Sequence, residues 1–125
     1  MRVRDLQLKR LLAVEPQTRL SEIARRMRVE DTDSVAVMSK GRLVGIVTER
    51  DMVQAIADGI DTQQAGADVV MAPDPSSVEA DEDVYVVAMK MMRLGVRHFP
   101  VVDEDGKPIA VVSARDLVRG MDRES

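Results

Sequence analysis

No cysteine occurs anywhere in the chain, which excludes disulfides, thiol catalysis and cysteine-ligated metals together. That absence fits a reducing cytoplasm, and a cytoplasmic protein is expected. Aromatic residues are almost as scarce, Tyr85 and Phe99 being the only two, so a stacking platform for single-stranded nucleic acid is missing. His98 is the sole histidine, and one imidazole with no thiol beside it cannot build a metal site. An excess of positive charge is lacking too: 18 basic residues face 22 acidic ones, which argues against nucleic-acid binding driven by a global field. No apolar run approaches the ~18 residues a membrane span needs, and the first five residues lead into no signal-like segment. No nucleophile–base pair, metal cluster or phosphate-cradling glycine loop is visible, so nothing points to an enzyme.

What is present is an internal repeat. Gly45-Ile46-Val47-Thr48-Glu49-Arg50-Asp51-Met52-Val53 returns 65 positions later as Ala110-Val111-Val112-Ser113-Ala114-Arg115-Asp116-Leu117-Val118. Each copy is an apolar run, a hydroxyl residue, two spacers, an aspartate and an apolar pair, the pattern of a buried strand passing into a helix. Upstream the copies are offset by 64, with Val14 matching Val78, Leu20 matching Val84 and Met27 matching Met91. The one-residue difference is placed most simply at Gly95, ending a longer helix in the second copy. Such a duplication decides the architecture. With 125 residues, neither copy can bury both faces of its helices alone.

Taken in order, Val3, Leu6, Leu8, Leu11, Leu12 and Ala13 predict a lead-in packed on the first repeat. Thr18 is the expected N-cap of a helix with Leu20, Ile23, Ala24 and Met27 on one face. Residues 34–38 and 43–47 are strands joined by a turn at Gly41. The helix from Thr48 should turn Met52, Val53 and Ile56 inward and end near Gly59. An unpatterned linker at 61–68 separates repeat 1 (1–60) from repeat 2 (69–125), where the same order recurs. There Asp103-Glu104-Asp105-Gly106 is a turn, too short for a calcium loop, and residues 120–125 should fray. Met1 and the early start of the first repeat lead us to expect a complete chain.

The two strand-to-helix segments, together with Arg97-His98-Phe99-Pro100-Val101-Val102-Asp103, resemble the cystathionine-β-synthase (CBS) domain family in its paired form, the Bateman module. The resemblance covers nearly the whole chain. It implies an α+β fold of tandem repeats, each strand–helix–strand–strand–helix, packed about a pseudo-two-fold axis. It also implies a non-enzymatic regulatory role that requires no cofactor, with an adenine nucleotide (AMP, ADP or ATP) as regulatory ligand in clefts between the repeats. By that resemblance Asp51 and Asp116 accept bonds from ribose hydroxyls, Thr48 and Ser113 donate to phosphate, and the base lies near Phe99-Pro100 or Ser34-Val35. Arg50, Arg115, Arg97 and His98 add positive charge. Family members pair as disc-like homodimers, and the same is expected here, with neither nucleic acid nor membrane as partner.

The residues support that chemistry independently. A carboxylate only accepts hydrogen bonds, and vicinal hydroxyls present two donors. A helix start offers free N–H groups to an anion. Thr48-x-x-Asp51 and Ser113-x-x-Asp116 also match a capping box, which stabilises a helix with no ligand at all. Both readings stay open. Acids at 31 and 33 disfavour phosphate in the first copy, whereas Arg97 and His98 favour it in the second. Ala110, in place of Gly45, narrows the approach to the base. Two other functions remain: an interaction or dimerisation module with vestigial clefts, and an S-adenosylmethionine or NADH sensor.

Overall fold

In the computed structural model, which describes residues 1–124, the apolar periodicities become two spatial units: Leu11–Pro75, and Met1–Arg10 together with the chain from Ser76 onward. The first runs β1 (Ala13–Val14), α1 (Leu20–Glu30), β2 (Ser34–Ser39), β3 (Arg42–Thr48), α2 (Glu49–Ala57), α3 (Ala67–Val70) and β4 (Ala72–Pro73). Its sheet has the order β1-β2-β3-β4, with β1 parallel to β2 and the other pairs antiparallel. Leu20, Ile23 and Met27 bury one stripe of α1 against Val35, Val37 and Val47. Lys40 and Gly41 both take positive φ in the hairpin turn, as a two-residue turn matched to strand twist requires.

Several expectations change here. Thr18 is not the N-cap of α1: its Oγ1 accepts the Glu15 N–H at 3.0 Å, closing the preceding turn, and Arg19 stands at the cap. Ala24 is exposed. On α2 the buried residues are Met52 and Ala55, while Val53 and Ile56 are 66% and 67% exposed. Residues 61–68 are not unpatterned: Ala67 is fully buried and opens α3, and the Ala65 carbonyl accepts the Leu20 N–H at 3.0 Å.

The second unit runs β5 (Val78–Glu79), α4 (Val84–Leu94), β6 (His98–Val102), β7 (Pro108–Ser113) and α5 (Ala114–Glu124), with sheet order β5-β6-β7. Asp83 caps α4 by accepting the Tyr85 N–H at 2.8 Å. Val84, Val87, Met91, Phe99, Val101, Val112 and Leu117 form the core. Helix α5 does not fray at Gly120. That residue is buried, and a Cβ there would stand 2.3 Å from Leu6 Cδ2, so a larger residue would have to displace the Leu6 side chain that lies against the helix. The part of the fraying expectation that falls on Ser125 lies outside the described residues.

Glu82 holds the entrance of α4. Its Oε1 accepts from Lys90 Nζ at 2.6 Å and its Oε2 accepts the Glu79 N–H at 2.7 Å. Burial pushes its carboxyl up, but the Lys90 hydrogen bond, the Glu79 N–H and the Lys90 charge outweigh burial and hold it below the ordinary 4.5. A depressed folded-state value stabilises the fold above the unfolded value, and that contribution is lost as pH falls through the folded one. Glu82→Gln should therefore lower the melting temperature above about pH 5, with the difference from wild type shrinking on acidification. A pH series of thermal melts on the two proteins checks this.

The internal register moves the inserted residue. Helices α1 and α4 are both 11 residues long, and Asp31 (φ 52) and Gly95 (φ 69) take the same left-handed C-cap. Aspartate is among the few residues that tolerate this conformation, so Gly95 is a replacement and not an insertion. The offset of 64 persists into the sheet, where Ser34 faces Thr48 and His98 faces Ser113. It becomes 65 in the hairpin: four residues separate the paired Met38 and Leu43, and five separate the paired Val102 and Pro108. The extra residue lies in the turn at 103–107.

The lead-in divides: Leu12 and Ala13 join the core and sheet of the first repeat as expected, whereas Val3, Leu6 and Leu8 pack on the second. Val3 N–H donates to the Glu82 carbonyl at 2.9 Å and Arg4 N–H to that of Ala80 at 2.7 Å. Sixty-four residues on, Ala67 N–H donates to the Thr18 carbonyl at 2.9 Å and Asp68 N–H to that of Pro16 at 3.0 Å. Each repeat's leading segment thus docks on the turn before the other repeat's first helix. The bounds 1–60 and 69–125 expected from the sequence are not those of the spatial units, which exchange their leading segments.

Candidate functional site

Thr48 ends β3 and Ser113 ends β7, and at both points the backbone turns from strand to helix. Thr48 N–H donates to Asp51 Oδ2 at 2.8 Å, and Asp51 N–H returns a bond to Thr48 Oγ1 at 3.4 Å. In the other unit Ser113 N–H donates to Asp116 Oδ2 at 2.8 Å, and Asp116 N–H to Ser113 Oγ at 3.1 Å. Both segments are therefore capping boxes, each satisfying two helix-start donors. Capping engages Oδ2 of each aspartate and leaves Oδ1 outside the box. Asp116 Oδ1 lies 4.0 Å from a mostly exposed Arg119 guanidinium, a pairing worth little.

The hydroxyls differ. Thr48 Oγ1 also donates to Asp51 Oδ2 at 3.1 Å, so its proton is spent inside the box. Ser113 Oγ acts there only as an acceptor. The next helix-start donor is tied in the same way in both units: Glu49 N–H to the Asp33 carbonyl at 3.0 Å, and Ala114 N–H to the Arg97 carbonyl at 2.9 Å. These bonds set Asp33 and Ser34 beside Thr48, and Arg97 and His98 beside Ser113. The structural matches are thus Asp33 with Arg97 and Ser34 with His98.

Each residue singled out in the sequence can now be placed. Thr48, exposed Arg50 and half-buried Asp51 gather at the start of α2; exposed Arg97, half-buried His98, Ser113, exposed Arg115 and half-buried Asp116 gather at the start of α5. Phe99 and Pro100 do not join them as side chains. Phe99 is 2% exposed in the core, and Pro100 is buried opposite Val111, so only their backbones remain for a ligand. Nor does Gly45 leave open space for a base. A Cβ there would meet Met71 Sδ at 2.4 Å, because the Met71 side chain fills that position.

Charge separates the two helix starts. Around Thr48 stand Asp33, Glu49 and Asp51 with Arg50; around Ser113 stand Arg97, His98 and Arg115 with Asp116. Glu49 opposite Ala114 was visible in the repeat alignment and is the signal that marks the α2 start as acidic. A cavity of about 630 Å³ in the second unit is lined by Arg4, Glu79, Asp81, Asp103, Glu104, Asp105 and apolar neighbours. It lies at the hairpin end of β6 and β7, includes none of the predicted residues, and its acidic wall disfavours a phosphate. Among the described residues no cluster of acids and histidine could hold a metal ion, and no helix is long and apolar enough to cross a membrane.

Comparison with known proteins gives a consistent result. The CBS domain profile matches residues 3–58 and 66–123. An uncharacterized protein of Acidianus ambivalens is 32% identical over 122 residues, 96% of this chain and 73% of that protein. One from Methanopyrus kandleri is 33% identical over 100 residues, and the chain spans about half of its length (51%). Among solved structures, a CBS domain protein from Pyrobaculum aerophilum complexed with AMP superposes with a TM-score of 0.84 at 26% identity, over 93% of this chain and 89% of that one. A CBS-domain containing protein from Agrobacterium tumefaciens gives 0.86 at 26% identity, over 97% and 99%.

Proposed function

Because this chain belongs to the CBS domain family, as a tandem pair, we propose that it is a regulatory module of the Bateman type that binds an adenine nucleotide and catalyses nothing. The observation that carries this reading is the box at the start of α5. Asp116 caps the helix through one oxygen and retains a second, half-buried acceptor for sugar hydroxyls. Ser113 keeps a hydroxyl proton for phosphate, and Arg97 is tied beside it by the Ala114 N–H. The solved Pyrobaculum relative was complexed with AMP, which makes AMP the first ligand to test. The start of α2 has the same box, but Asp33 and Glu49 repel a phosphate and Thr48 has spent its proton. The anion is therefore assigned to the Ser113 side, where Arg97, Arg115 and the helix dipole act together.

AMP should raise the melting temperature by mass action, by an amount corresponding to about 2.7 kcal/mol at a hundredfold excess over Kd. Calorimetric titration checks stoichiometry and affinity. A flat titration at millimolar AMP and ATP, with melting unchanged by either, leaves the interaction-module reading in its place. The S-adenosylmethionine and NADH readings are separated by competition against AMP.

We infer further that the protein is a cytoplasmic homodimer that binds neither nucleic acid nor membrane. Val53 and Ile56 on α2, Met89 (68% exposed) and Met92 (84%) on α4, and Val118 on α5 are apolar side chains left outward. Apolar surface of that kind on helices marks association. Met89→Glu should convert a dimer into a monomer in sedimentation; a wild type that sediments as a monomer rejects the inference.

A further inference from the structure

The two leading segments are counterparts 64 residues apart, yet only one ends as a strand. In the unit Leu11–Pro75, Ala72 and Pro73 of β4 pair with Ile46 and Gly45, and Asp74 N–H donates to the Val44 carbonyl at 3.2 Å. In the other unit β7 is the open edge of a three-stranded sheet, and residues 7–10, the counterparts of 71–74, belong to no strand. Two side chains account for the difference. Met71 packs over Gly45 and joins the core beneath it. Its counterpart is exposed Gln7, and the counterpart of Gly45 is Ala110, whose methyl already occupies the core. The apolar anchor has moved one residue on, to Leu8, which packs against that core. Strand side chains alternate, so an anchor displaced by one presents the wrong groups to the sheet.

We propose that residues 7–10 are a strap with a second state, in which Leu8 and Lys9 pair with Val111 and Ala110 as a fourth strand on β7. In that state Arg10 N–H donates to the Ile109 carbonyl, as Asp74 does to Val44. The occupant of the edge is the chain's own segment. Its counterpart already adds to the equivalent edge of the other unit, and the bonds of Val3 and Arg4 tether it beside the sheet, which raises its effective concentration there. An open edge presents unpaired backbone groups suited to strand addition. Because β7 passes directly into Ser113, docking the strap fixes the strand that carries the cap.

The test restores the missing counterparts: Gln7→Met with Ala110→Gly. Amide hydrogen exchange at Leu8 and Arg10 should slow at least tenfold relative to wild type, with the Val101 and Val112 amides of the core protected equally in both proteins. Unchanged exchange at Arg10 in a folded double variant overturns the proposal. If the core amides lose protection, Arg10→Pro in the otherwise native chain removes the N–H that the strand pairing needs, and the Leu8 amide decides: faster exchange than wild type supports the strap, equal exchange overturns it. No ligand enters the measurement, so its outcome is independent of the AMP titration.

Discussion

Asparagine in place of Asp116 should weaken AMP binding by about 10- to 150-fold while hardly lowering the melting temperature of the ligand-free protein. The side-chain amide oxygen can still accept the Ser113 N–H that Asp116 Oδ2 accepts at 2.8 Å, so the helix remains capped. The ligand side then presents an NH2 group to sugar hydroxyls, donor against donor. At least one charge-assisted bond is lost, about 1.5–3 kcal/mol, and every 1.4 kcal/mol is about tenfold in affinity. The apo protein loses only the favourable placement of a negative charge near a helix start, about 0.3–1 kcal/mol. Alanine at the same position removes cap and acceptor together and does not separate the two roles. Calorimetry of AMP on the asparagine variant, paired with a thermal melt, does separate them. Affinity within threefold of wild type would show that Asp116 only caps. Arg97→Ala extends the test, since it should weaken AMP and leave uncharged adenosine unaffected.

Phe99→Ala is expected to be among the most damaging single substitutions for stability. Phe99 is the only phenylalanine and is buried with Val78, Val84, Val87, Met91 and Val112. Truncating a buried phenylalanine costs about 3–5 kcal/mol, part of it for the cavity left behind. In a protein of this size the loss corresponds to a fall in melting temperature on the order of 15 °C. Urea titration should show a lower midpoint at unchanged slope. A ligand-contact role for the ring predicts the opposite pattern, near-normal stability with lost AMP affinity. The pairing of Phe99 with Val112 in mid-sheet leaves little room for that pattern.

Most of the architecture was legible because its signals are local and doubled. The hydroxyl-x-x-aspartate boxes formed in both copies, and the stripe of Leu20, Ile23 and Met27 turned inward as its spacing required. The face of α2 was not legible: Met52, Val53, Ala55 and Ile56 are all apolar, so periodicity cannot choose between two candidate stripes, and packing chose Met52 and Ala55. The position of the extra residue was hidden because Asp31 can adopt the backbone conformation that Gly95 adopts, which made a substitution look like an insertion. Docking of Val3 and Arg4 on the turn before α4 is a contact across some eighty positions of sequence, and no local pattern encodes it. At the site, the opposite charges of the two helix starts were readable from Glu49 and Ala114. How far Thr48 and Ser113 differ in their free proton depends on rotamers that sequence does not specify.

The exchange of leading segments bears on how such a protein can be divided. A fragment starting at residue 69 keeps its strands and helices but loses Val3 and Leu6, the plug of its own interior, while a first half ending at residue 60 loses Ala67 in the same way. Neither half is therefore a self-sufficient folding unit.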